Sequence, residues 1–133
     1  MPAPVAFSYA IIRVVPRVER GECLNVGVVV YSQQLKFLRA AVDLDEARLK
    51  ALDPKISVDT VRDHLDAFVR VCHGDADSGE VAKLPISQRF HWLVAPRSTI
   101  IQTSPSHPGM CDDGTKMVEH LMDTLVRVKM ETR

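Results

Sequence analysis

The sequence predicts an α+β fold: an antiparallel sheet of about four strands with helices packed on it. Three observations carry this. Two strand-like runs near the start are joined by a short polar connection, a block of helical periodicity follows, and strands and helices do not alternate as a doubly wound fold would require.

From Phe7 to Val15 (FSYAIIRVV) the residues are β-branched, aromatic or small. Both alternating faces are apolar except at Arg13, as in a central strand covered on two sides. Asn25 to Ser32 (NVGVVVYS) repeats that character. The nine residues between them, PRVERGECL, hold a proline, a glycine and four charges, which suits a hairpin connection and antiparallel pairing. Leu35 to Val42 (LKFLRAAV) carries Lys36 and Arg39 among apolar neighbours and is expected as a third strand with one wetter face. Asp43 to Leu52 (DLDEARLKAL) has acids in its first turn and stops ahead of Asp53-Pro54, which predicts a short helix.

Ser57 is a good N-cap for a longer helix in which Val58, Val61, Leu65, Phe68 and Cys72 recur at gaps of three and four. Gly74 ends it, and Asp75 to Glu80 form a polar loop. Pro85 to Val94 (PISQRFHWLV) reads as a short helix opened by proline, broken at Ala95-Pro96, with a fourth strand from Thr99 to Thr103. Ser104 to Gly109 (SPSHPG), with two prolines and a glycine, is expected to be an irregular loop. Asp112 or Asp113 then caps a final helix with Val118, Leu121, Met122 and Leu125 as its apolar stripe. Arg127 and Lys129 fall near its C-terminal end, and Met130 to Arg133 are expected to fray.

With 133 residues, and no linker or repeat, the chain is expected to form a single domain over 1–133. An apolar fraction of 46% and a charged fraction of 26% exclude disordered and membrane-embedded classes. Seventeen basic and seventeen acidic side chains cancel, so no overall field draws the chain to nucleic acid, which is not expected as a partner. Cys23, Cys72 and Cys111 are odd in number and widely spaced, which argues for free thiols and a cytoplasmic setting. The start, MPAPVAFSYA, lacks a signal-peptide pattern, and no apolar run approaches the roughly 20 residues that span a bilayer.

No cofactor or metal is expected. Gly21 and Gly27 belong to no phosphate-binding glycine fingerprint. Cys72 and His73 are neighbours that cannot easily share one ion, and His107 and Cys111 form an isolated pair. Cys72 lies on an apolar helix face and reads as a small buried hydrophobe; Cys111 is expected to be more exposed. His64 and His120 read as surface positions.

The one concentrated cluster is Arg89 to Gln102 (RFHWLVAPRSTIIQ), at a helix–strand junction where functional loops tend to sit. Arg89 and Arg97 could hold a carboxylate or phosphate by forked hydrogen bonds. His91 could move a proton near neutral pH, and Ser98 or Thr99 could donate to an anion. The structural alternative is that Phe90 and Trp92 are core packers, His91 satisfies a carbonyl, and Arg97-Ser98-Thr99 tie down the loop. The hairpin connection adds Arg17, Glu19, Arg20, Glu22 and Asn25, either a second part of the site or a solvated turn.

The runs FSYAIIRVVPRVERGECLNVGVVV and RFHWLVAPRSTIIQTSPSHPG resemble the bacterial family catalogued as domain of unknown function 3037, over roughly Phe7 to Val126. Arg20, Gly21, Glu22, Asn25, Val26 and Gly27, with Arg89, Trp92, Ala95, Pro96, Arg97, Ser98 and Gln102, match its signature positions. The resemblance brings no established activity. Members are often encoded beside a kinase resembling the HipA toxin kinases, so the resemblance implies a protein partner or a shared regulatory task.

Two functions are therefore expected in competition. One is a non-enzymatic regulatory or interaction module that engages a protein partner, such as a HipA-like kinase, through the sheet and the Arg89 to Gln102 segment. The other is an anion- or phosphate-binding enzyme, or a nucleic-acid-processing domain, with Arg89 and Arg97 as clamps and His91 as acid/base.

Overall fold

The computed structural model describes residues 3–128; Lys129 and Met130 to Arg133 lie outside the described residues. Its centre is an antiparallel sheet. The first strand, β1 (Val5–Val14), pairs with β2 (Leu24–Ser32), which pairs with β3 (Phe37–Val42). On the other edge β1 pairs first with β4 (Ile101–Thr103) and then with β5 (His107–Cys111), both antiparallel. The predicted α+β class and antiparallel sheet are borne out.

Helices cover both faces. On one face α1 (Glu46–Leu52), α2 (Val58–Cys72) and α3 (Ile86–Leu93) bring Leu49, Val61, Leu65, Phe68, Phe90 and Leu93 onto Ala10, Ile12, Val14, Val26 and Val29. On the other, α4 (Gly114–Leu121) and one turn of π-helix (Met122–Val126) bring Val118, Leu121, Met122 and Val126 onto Phe7, Val28 and Val30. This two-sided cover is why β1 and β2 are apolar at nearly every position. The caps are local: Asp45, Ser57 and Asp113 accept from the backbone N–H of Arg48, Thr60 and Lys116.

Several expectations need correction, among them the start of the fourth strand, which is Ile101 rather than Thr99. The third strand starts at Phe37 rather than Leu35, because residues 33–36 make the reversal from β2 and Lys36 takes a left-handed φ of 49°. Ser104 to Gly109 is not wholly a loop, since His107, Pro108 and Gly109 begin β5. An edge strand is paired on one side, so a proline can be accommodated there. Gly109 is required because a Cβ would stand 2.4 Å from the Phe7 ring that packs over it. Cys111, expected to be more exposed, is buried against α4 because it pairs with Val5 inside the sheet.

The pairing of β1 with β2 is irregular at one point. Ile12 opposes Gly27 but Arg13 opposes Asn25, so Val26 is an extra residue bulged out of β2. The bulge lets Leu24 and Val26 both enter the core beneath α1 and α2 while Asn25 turns to the opposite face.

Candidate functional site

Phe90 and Leu93, three apart on α3, are the residues it buries in the sheet. Arg89 and His91 are two apart, which sets them about 200° around the helix from each other. Arg89 folds towards the end of α2, where its Nη1 donates to the carbonyls of Ala82 at 3.3 Å and Leu84 at 3.0 Å. A Cβ at Gly74 would stand 3.1 Å from that same nitrogen. His91 is exposed, with Nδ1 donating to the Ser87 carbonyl at 2.7 Å. Arg97 folds back over the end of α3, donating to the carbonyls of Trp92 and Ala95, with its guanidinium 4.5 Å from the centre of the Trp92 ring. The polar ends of Arg89, His91 and Arg97 thus meet three separate sets of backbone carbonyls.

Ser98 is exposed on the following loop, and Gln102 Nε2 donates to the Thr99 carbonyl at 2.9 Å. In the hairpin connection, Arg20 and Glu22 pair at 2.5 Å on the surface and edge a cleft of about 390 Å³ with Pro16, Arg17, Leu52 and Pro54. They sit by the end of α1. Asn25 faces away from that cleft and donates Nδ2 to the Leu125 carbonyl at 3.2 Å.

The two sequence motifs nevertheless touch through β1. Arg13 directly opposes Asn25 on one side and Gln102 on the other. Directly opposed residues of antiparallel strands project to the same face, so the three side chains stand in a row across the sheet. In the sequence Arg13 reads only as an interruption; its signal is a lone charge inside an apolar strand.

Trp92 is the other residue whose place is not read from the sequence. Phe90 is a core residue at 3% exposure, but Trp92 is 43% exposed. It borders a cleft of about 290 Å³ with Phe68 and Val71 of α2 and Ile101 of β4, rimmed by His64, Arg97 and Thr99. The helical phase set by Phe90 and Leu93 could have placed it outside. A larger cleft, about 670 Å³, lies between the β3–α1 connection and α2, edged by Asp43, Arg62, Asp63 and Asp66.

The family described as "Protein of unknown function (DUF3037)" matches residues 9–126, which take in the second motif, the first motif apart from Phe7 and Ser8, and α1 to α4. The chain belongs to the DUF3037 family. No curated protein and no solved structure matches this DUF3037 chain.

Two of the three thiols in this DUF3037 chain are poorly placed for chemistry. Burial pushes the Cys72 thiol up to about 12, and burial with the nearby Asp112 and Asp113 charges raises that of Cys111. Among the described residues no group of three or more His, Cys, Asp or Glu side chains could hold a metal ion, and no helix is long and apolar enough to cross a membrane.

Proposed function

We propose that this DUF3037 chain is a non-enzymatic regulatory or interaction module that engages a protein partner through the Trp92 cleft. The exposure of Trp92, stacked under Arg97 beside an apolar cleft at the β4 edge of the sheet, carries the reading. Tryptophan and arginine are the residues most enriched among those that dominate binding energy at protein interfaces. A cation stacked on the ring also holds Trp92 in one orientation before a partner arrives. The family resemblance makes a HipA-like kinase the first partner to test, in a cytoplasmic setting suited to free thiols.

The competing reading, an anion- or phosphate-binding enzyme built on Arg89, His91 and Arg97, has less support. Although Arg89 Nε is buried without an acceptor, the three side chains donate to three separate sets of backbone carbonyls and do not converge on one pocket.

Co-expression of this chain with a neighbouring kinase, followed by size-exclusion chromatography, tests the proposal. Co-elution is expected, and Trp92→Ala should weaken it by about 30-fold, equivalent to about 2 kcal/mol. No co-elution with the kinase, or co-elution indifferent to Trp92, would defeat this reading.

A further inference from the structure

We propose that Arg13, flanked by Asn25 and Gln102, is a binding site for a carboxylate group. Strand register puts the three side chains in one row on the sheet face that α4 and the π turn share. The β-bulge beside Arg13 turns Asn25 into that row. Bulges are over-represented next to binding sites because they re-aim a side chain in this way.

One nitrogen of the guanidinium is unsatisfied. Arg13 Nε is buried and meets no acceptor, and among the described residues no carboxylate comes within ion-pair distance of Arg13. Leaving a buried charged donor without an acceptor costs more than most hydrogen bonds gain, so a missing acceptor is the simplest account of it. The residue as a whole stays partly exposed, as do Tyr9 and Ile11 on the same face of β1, so the row can be reached from solvent.

The neighbours define the ligand further. Asn25 and Gln102 each anchor an amide nitrogen on a backbone carbonyl, Leu125 and Thr99 respectively. Among the described residues no donor meets their amide oxygens. The row therefore offers one positive fork with an acceptor on each side. Arg127, towards the end of the π turn, already pairs with Asp43, Glu119 and Asp123, and Arg48 reaches the Val126 carbonyl. The row itself holds a single positive charge, which suits a monoanion, and a planar carboxylate matches the guanidinium fork. Flanking acceptors favour a carboxylate carried beside N–H groups, as on an acidic peptide; a free organic acid shares the same central chemistry.

The Arg13 row and the Trp92 cleft lie on opposite faces of the sheet, linked at its edge through the Gln102–Thr99 hydrogen bond, and either site can fail alone. To test the row, the Nε–H signal of Arg13 is followed by ¹H–¹⁵N NMR in the full chain during titration with sodium acetate, with a blocked glutamate tripeptide, and with sodium chloride and inorganic phosphate as comparators. Both carboxylates should shift the signal saturably. Tighter binding of the tripeptide would identify a peptide source, and equal binding a free acid. Arg13→Gln should abolish saturation of the remaining row signals. Gln102→Ala, a change on the short edge strand, should weaken binding about fivefold, as loss of one neutral hydrogen bond does. If Arg13→Gln does not fold, the wild-type and Gln102→Ala titrations decide. A signal that moves no more with carboxylate than with chloride, or that saturates more tightly with phosphate, overturns the proposal.

Discussion

At the scale of single residues, the close approaches are the most exposed to test. A Cβ at Gly27 would stand 2.3 Å from the Ala41 carbonyl oxygen and 2.8 Å from Val42 Cγ1, where β3 crosses the bulge in β2. Gly27→Ala should therefore lower stability by about 2–3 kcal/mol, read from the urea midpoint, because neighbouring backbone must move to admit it. Arg13→Met should leave stability unchanged or raise it: removing a buried donor without an acceptor relieves about 1–3 kcal/mol of desolvation. A large loss would instead mark Arg13 as a packing residue. The thiols give a third expectation. Cys23 is exposed whereas Cys72 and Cys111 are buried with raised thiol values. A thiol reagent at neutral pH should therefore label Cys23 alone in the native chain and all three after unfolding.

At the scale of elements, caps and edges decide. Ser57 accepts from the Thr60 N–H at the start of α2, and Ser57→Ala should cost about 1 kcal/mol, measurable by thermal or urea unfolding. At the open side of β3, His73, just past α2, takes the Ala40 N–H on its Nε2 at 3.3 Å. That bond needs a neutral ring. Burial first, and then the Arg39 charge, hold His73 below the ordinary histidine value. With its folded value depressed, the unfolded chain binds the proton more readily. The contribution is present above the unfolded value, about 6.5, and is lost as pH falls through the folded one. His73→Gln should accordingly reduce the acid sensitivity of the urea midpoint, by a small amount because the ring is only partly covered and the residue as a whole is exposed.

At the scale of the whole molecule, the two cores share one sheet. Val28 and Val30 enter one core, and Val26 and Val29 the other, from the same strand. Neither core can come apart without stripping cover from β2. Unfolding should therefore be a single cooperative transition, with Trp92 fluorescence and far-ultraviolet circular dichroism coincident. Two separated transitions would mean two folding units.

The helices, the apolar central strands and the antiparallel pairing were legible because each is written in neighbouring residues: the Ser57 cap, the three-and-four spacing of Val61, Leu65 and Phe68, the β-branched run through Val30. β5 was not, because Pro108 and Gly109 signal a turn locally while an edge position and the Phe7 ring permit a strand. The candidate site divides in the same way. Composition alone drew attention to Arg89, His91 and Arg97, yet whether such groups converge depends on helix phase and on which carbonyls stand nearby. The sequence by itself determined the fold class and the segments where polar chemistry concentrates. Only the tertiary structure put Trp92 outside and set Arg13 between Asn25 and Gln102, because register between strands as far apart in the chain as β1 and β4 is chosen by core packing and not by local pattern.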